Sequence, residues 1–269
     1  MTSILEAILR ILLGPRKTAF LRWCGRRFGV VGATWATLCL FARRPCVALP
    51  LGEYNSVVWV RPLTTDRLVF DQVFQDQQYA VDLDDPALII DAGANVGFAS
   101  IFLAHRYPNA RIIALEPEQH NVELLQRNVR GYDNIHPIRA GLWSRSTRLV
   151  ITNPDSGSWA FQVTESKDGV GIPALGVKTI LQQANADRVD MLKMDVEGAE
   201  REILSTSAEW KHQVDMLVIE THDTLVPGCS DALDRAVRGH ATQRTTKGEN
   251  TVVRLRTDAG VEQSQHGAR

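Results

Sequence analysis

Two stretches of the chain hold residue types whose spacing suits chemistry. Residues 189 to 200 read Val-Asp-Met-Leu-Lys-Met-Asp-Val-Glu-Gly-Ala-Glu, an apolar strand pattern that places Asp195 and Glu197 on either side of a turn into a helix. Met216 to Thr221 is a second apolar strand pattern that delivers Glu220 and His222 to the same edge, with Asp223 just beyond. Strand alternation sets Glu220 and His222 on one face, opposite Thr221. Carboxylates and an imidazole gathered in this way suit removal of a proton from a hydroxyl group. The base is His222, whose ordinary pKa lies nearest neutrality, or a carboxylate at Asp195 or Glu197. Asp195, Glu220 and His222 together also suit magnesium or manganese, but no ligand spacing compels it and no metal is assigned.

The second stretch, Leu88 to Gly97, reads Leu-Ile-Ile-Asp-Ala-Gly-Ala-Asn-Val-Gly. It predicts a short buried strand, a tight turn with glycines at 93 and 97, and a helix that begins near Phe98. Ligands of such units bind beyond the carboxyl end of the strand, where glycines let the backbone approach closely. A dinucleotide fingerprint aligned on Gly97 would need glycines at 92 and 94 as well, and both positions are alanine. Asp91 would repel a phosphate but could hold the amino group of a cationic ligand, so the turn suits S-adenosylmethionine better than a nicotinamide dinucleotide. Glu116, 25 residues after Asp91, ends the next strand, where an acid can accept hydrogen bonds from both ribose hydroxyls. Small residues at the end of the third strand, Ala140, Gly141 and Leu142, could flank an adenine ring, while Trp143 reads as core. The expected cofactor residues are therefore Asp91, Ala92, Gly93, Asn95, Gly97, Glu116, Pro117, Ala140, Gly141 and Leu142.

The elements that must position these residues alternate regularly. Strands are predicted at 88–91, 110–115, 135–142, 189–194 and 216–221, with helices at 98–105, 119–130 and 199–210 between them. Such alternation implies right-handed βαβ units and a mainly parallel, doubly wound α/β sheet of Rossmann-like type. Two β-rich runs around Lys247-Gly248-Glu249-Asn250 predict a C-terminal antiparallel hairpin. Upstream, Val57 to Val60 reads as a short strand, and Thr65-Asp66 opens a helix expected to lie over the cleft. Asp66, Phe70 and Tyr79 could then line a site, with core packing as the alternative for both aromatics. Between Asn153 and Gly176 a long loop or irregular hairpin is expected, and Ser158, Trp159 and Phe161 in it are candidates to shape an acceptor pocket.

The chain has 269 residues, 44% of them hydrophobic, and a formal net charge of −1, which gives no case for nucleic-acid binding. Charge is unevenly placed. Up to Cys46 there are eight Arg or Lys against Glu6 alone, so this arm carries +7 and the remainder −8. Residues 3 to 13 form an amphipathic pattern, with Glu6 and Arg10 interrupting any secretory signal core. Phe28 to Ala42 is uncharged but falls short of the ~20 residues needed to span a bilayer. The arm can cap the domain or lie on a membrane surface. Four cysteines without C-x-x-C pairs suit a reducing compartment, and a cytoplasmic or membrane-associated protein is expected. The domains expected are an arm at 1–49, an α/β domain at 50–257 and a polar tail at 258–269.

Together, Asp-Ala-Gly-Ala-Asn-Val-Gly (91–97), Glu116-Pro117 with Asn121 and Asn128, Lys-Met-Asp-Val-Glu-Gly-Ala-Glu (193–200) and Val-Ile-Glu-Thr-His (218–222) resemble the FkbM family of S-adenosylmethionine-dependent methyltransferases. The resemblance runs from about Asp66 to His222. It implies a class I methyltransferase fold and usually O-methylation of a hydroxyl on a sugar or natural-product scaffold, hence a small-molecule or glycan acceptor. The competing reading is a non-catalytic domain that binds S-adenosylmethionine or S-adenosylhomocysteine and acts through its basic arm.

Overall fold

The computed structural model describes residues 10–152 and 163–255. The chain divides into two compact units, Met1–Gln75 and Asp76–Arg269. Ser158, Trp159 and Phe161, and most of the amphipathic pattern at 3 to 13, lie outside the described residues.

In the first unit, helix α1 (Pro15–Phe41) starts at a proline, whose fixed φ suits the first turn, and bends at Gly29, where φ is 66°. Strands β1 (Val47–Leu51) and β2 (Ser56–Val60) pair antiparallel in the register Val47↔Val60 to Leu51↔Ser56. That pairing straddles the boundary expected near residue 50, so 50–75 belong with the arm. Helix α2 (Asp66–Phe70) continues as a wider turn at Asp71–Gln75. Its residues serve this unit's interior. Asp66 receives the Arg61 guanidinium at 2.7 Å, and Phe70 is fully buried among the rings of Trp23, Phe28 and Phe74.

The second unit is built on a seven-stranded sheet. Its strands are β3 (Leu88–Ala92), β4 (Arg111–Leu115), β5 (Ile135–Ile138), β10 (Val189–Met194), β11 (Val214–Ile219), β12 (Ala241–Lys247) and β13 (Asn250–Leu255), in the order β12-β13-β11-β10-β3-β4-β5. The first five are parallel to one another, and β13 runs antiparallel to β11 and β12. Gly248, with φ 59°, takes the first of the two loop positions in the β12–β13 hairpin, where a left-handed residue matches the strand twist. Helices α3 (Phe98–Arg106), α4 (Gln119–Asn128), α6 (Glu200–Ser205) and α7 (Cys229–Val237) accompany the strands.

A second sheet, in the order β6-β9-β7-β8, was not legible in the pattern. The strand expected at 135–142 breaks after Ile138, where Ala140 N–H turns back to the Ile138 carbonyl. Gly141–Leu142 then forms β6, parallel to β9 (Ile172–Leu175). Strand β7 (Thr147–Ile151) pairs antiparallel with both β9 and β8 (Val163–Glu165). The stretch expected as a long loop or irregular hairpin carries two strands, which both pair with β7 and not with each other, and α5 (Val177–Ala184) follows it. The helix expected at 199–210 ends at Ser205 and gives way to single 3-10 turns at Ser207–Glu209 and Lys211–Gln213.

Strands β3 and β10 meet where the strand order reverses, and their register places Lys193 beside Asp91. Both are essentially inaccessible to water. Lys193 Nζ lies 3.0 Å from Asp91 Oδ1, donates to the Gly93 carbonyl at 2.7 Å, and stands 5.4 Å from the Tyr79 ring centre. Ser100 Oγ donates to the other Asp91 oxygen at 2.6 Å. Burial alone would lower the lysine pKa, but the Asp91 carboxylate and its neighbours outweigh it and hold the ammonium charged. Breaking such a pair strands the other charge at a cost of ~3–5 kcal/mol. Lys193→Met is therefore expected to lose about that much stability in denaturant unfolding, and Asp91→Asn in the same chain to restore part of it. A loss near zero for the single variant would refute the pairing.

Candidate active site

A cleft of about 600 Å³ opens at the carboxyl ends of β3, β4 and β10. One wall is made by Gly93, Asn95, Glu116, Pro117 and Asn121, the other by Asp195, Val196, Glu197 and Ala199, with Gly141, Leu142 and Val163 between them. The turn after β3 is fixed from two sides. Gly93 and Ala94 N–H both donate to the Leu115 carbonyl at the end of β4. Asn95, in the left-handed region at φ 50°, donates its N–H to Glu116 at 2.8 Å.

Glu116 closes this wall. It also receives the Glu118 N–H at 3.0 Å and the Asn121 amide at 3.3 Å. Burial pushes its carboxyl up to about 7, against the three donors that favour the ionised form. Oε1 takes both the Glu118 and the Asn121 donors, so Oε2, which holds only the Asn95 N–H, is the oxygen with room for a further donor. Beside it, the buried Asn95 Oδ1 has no hydrogen-bond partner among the described residues, so the wall offers an unused acceptor.

The opposite wall is a cluster of acids around one imidazole. His222 Nδ1 is 2.7 Å from Glu200, which is fully buried and also takes the Gly198 N–H at 3.2 Å. His222 Nε2 faces Glu220 at 3.4 Å, Glu197 at 3.6 Å and Asp195 at 3.8 Å. Burial disfavours the charged ring, but Glu200 and Glu220 overcome it and push the His222 pKa up to about 11. Burial and the Asp195 charge push the Glu197 carboxyl up to about 8. Asp195 is likewise raised by burial, with Lys193 pulling the other way. Glu197 and Gly198 sit at φ 53° and 95°, a left-handed pair that turns the Glu197 side chain back toward the cluster.

Asp195, Glu220 and His222 each offer one ligand atom within 4.8 Å of the others. Carboxylate oxygens with one imidazole are a donor set that suits magnesium or manganese.

The structure thus brings Gly93, Asn95, Glu116, Pro117, Gly141 and Leu142 to one cleft with Asp195 and Glu197, as expected from sequence. It does not bring Asp91 there, because that carboxylate is consumed by Lys193 and Ser100 beneath the turn. Ala92 and Ala140 are buried in the core, as is Trp143. Gly97 caps α3 and presses on α4, where a Cβ would stand 2.5 Å from Leu125. His222 stands behind the lining carboxylates. Tyr79 is buried over Lys193. Sequence reasoning missed Lys193 and Glu200, although a lysine in the middle of an apolar strand was a visible signal, since lysine is almost never buried unpaired.

Strand order, glycine turn and strand-end acid are together the arrangement of a class I methyltransferase. Residues 91–236, just over half the chain, match the methyltransferase FkbM domain. The chain belongs to the FkbM methyltransferase family. It is 27% identical over 192 residues to methyltransferase sdnD of Sordaria araneosa, covering 58% of this chain and 74% of that one. It is 25% identical over 183 residues to methyltransferase 1 of Beauveria bassiana, covering 58% and 73%. A crystal structure of a methyltransferase FkbM from Methylobacillus flagellatus KT superposes with a TM-score of 0.48 at 16% identity, over 69% of this chain and 48% of that chain. The present chain therefore spans about half the length of that solved protein.

Gly93 is where the two walls touch. Its φ is 76°, and a Cβ there would stand 1.7 Å from the Asp195 carbonyl oxygen, a backbone atom with no free rotation. The left-handed conformation alone costs an alanine ~1–3 kcal/mol. Gly93→Ala is expected to lower the melting temperature and weaken S-adenosylhomocysteine binding about tenfold or more in calorimetry. Gly131→Ala, in open space, should change neither. Equal behaviour of the two variants would contradict the contact.

Proposed function

We propose that this protein transfers a methyl group from S-adenosylmethionine to a hydroxyl oxygen of a small-molecule or glycan acceptor. The observation that carries the reading is one cleft with two unlike acidic walls: Glu116, held by three N–H donors, with the unused Asn95 acceptor on one side, and Asp195 and Glu197 gathered in front of His222 on the other. Glu116 is suited to the ribose hydroxyls, Asn95 Oδ1 to a ligand N–H, and the flat backbone at Gly93 to close approach. Gly141 and Leu142 offer an apolar edge for a purine ring. Among the described residues neither wall supplies cations for a phosphate-bearing cofactor, which weighs against a dinucleotide.

When bound, S-adenosylmethionine supplies a methyl group already activated as an electrophile. The chain's own task is to align the acceptor, exclude water and take the hydroxyl proton. At neutral pH the imidazolium of His222 is not a proton acceptor, so the expectation that its ordinary pKa makes it the base gives way to Glu197 or Asp195. A carboxylate pushed toward neutrality is well matched to an alcohol proton. His222 then acts as the fixed positive charge that lets these acids share a small volume.

Calorimetric titration with S-adenosylmethionine and S-adenosylhomocysteine, followed by turnover assays on hydroxylated acceptors, tests the reading. Binding without turnover on any acceptor would favour the non-catalytic alternative, and no binding would end both. Affinity is expected to fall as pH drops through about 7, because protonation of Glu116 removes acceptor capacity. Glu116→Gln should flatten that dependence. With Glu197 as base, kcat should rise as pH increases through about 8, where the carboxyl ionises. Glu197→Gln should abolish that rise and lower kcat ~10²–10⁴-fold. A rise that survives in Glu197→Gln assigns the base to Asp195.

A further inference from the structure

Beyond the Gly29 bend, α1 runs on through Val30 to Phe41 and is apolar on both faces. Gly32, Ala36, Cys39 and Leu40 are buried within the first unit. Val30, Val31, Trp35, Leu38 and Phe41 are between 48% and 83% exposed. Their spacing follows one side of a helix, and only Thr34 and Ala42 join them there. The result is an uncharged apolar stripe about 18 Å long. Exposed cations stand at its ends, Arg26 and Arg27 before it, Arg43 and Arg44 after it. Past its C-terminal end lies a basin of about 740 Å³ lined by Lys17, Arg43, Arg44 and Arg61 with Leu40 and Leu63. Arg61 is held by Asp66, whereas the side chains of Lys17, Arg43 and Arg44 have no carboxylate partner among the described residues.

We propose that this face docks on the surface of an anionic phospholipid bilayer, with the stripe in the acyl boundary and the basin on headgroup phosphates. Among the described residues no helix is long and apolar enough to cross a membrane, whereas an exposed apolar face can bury itself at the headgroup–acyl boundary while the arginines at its ends meet anionic lipid. Charge chooses the occupant. Pairing with a second copy, parallel or antiparallel, would bring arginines against arginines at both ends. A nucleic acid would meet the cations but leave the stripe uncovered. The eight cations of the arm against a single acid match an anionic surface.

The test is sedimentation of the full chain with vesicles of phosphatidylcholine alone and of equimolar phosphatidylcholine and phosphatidylglycerol. Binding is expected to the mixed vesicles only, and to weaken as salt is raised. Arg43→Ala with Arg44→Ala should lower the partition coefficient roughly 30-fold, since each basic residue near the surface is worth about a fivefold factor. Leu38→Glu, at an exposed position, should abolish partition while leaving the unfolding midpoint in place. Equal partition to both vesicle types, no partition, or full binding by the two variants overturns the proposal. So does a wild-type dimer that Leu38→Glu converts to monomer, because the stripe would then be covered by a second copy.

Discussion

One buried ammonium group holds the centre of the second unit together. Lys193 lies between neighbouring parallel strands where neither water nor a mobile counterion can reach it. Its charge is met by Asp91 on the adjacent strand, and its remaining hydrogen-bonding capacity by the Gly93 carbonyl. The same contact that neutralises the sheet thus grips the first residue of the turn. From there the constraint passes outward along the backbone. Gly93 lies against the Asp195 carbonyl, Asn95 donates to Glu116, and Glu116 gathers the start of α4 through Glu118 and Asn121. The cleft is the outer surface of a rigid chain of contacts that begins at a salt bridge it does not expose.

The two walls of the cleft solve different electrostatic problems. Glu116 is surrounded by neutral N–H donors, which can stabilise an anion without supplying a charge of their own. Asp195, Glu197, Glu200 and Glu220 are close enough to repel one another, and the imidazolium of His222 in their midst is what makes the arrangement tolerable. Glu200 keeps its charge because burial is outweighed by His222 and backbone donors, whereas Glu197 has no such donor among the described residues and leans toward its protonated form. Neighbouring residues on one turn are thus pushed in opposite directions, Glu200 by its hydrogen bonds and the His222 charge, Glu197 by burial and the Asp195 charge.

The parallel sheet was legible because strands covered on both faces write continuous apolar runs, as in Leu88-Ile89-Ile90, and because glycines mark the turns that follow. The cleft residues Gly93, Glu116, Asp195 and Glu197 were legible for the same reason, since they stand at strand ends. The second sheet was not, because strands of two to five residues with one exposed face leave little alternation to read. Asp91 looked like a ligand group because an acid at a strand end is commonly exposed. Only the position of a lysine on a neighbouring strand shows that it is not. Likewise the acidity of the surroundings of His222 depends on residues from β11, α6 and the turn at 195–198, and sequence order does not reveal how closely they meet.

The pairing of Lys193 with the turn at Gly93 joins residues a hundred positions apart in the chain. During synthesis at roughly 5–20 residues per second, Asp91 emerges some 5–20 s before the cation that will neutralise it. Until then strand β3 has an anion at the place where it must be packed dry, and its turn lacks the grip on Gly93. The half of the sheet made first cannot settle into its final form, so the nascent chain keeps that edge open until the half carrying Lys193 has left the ribosome.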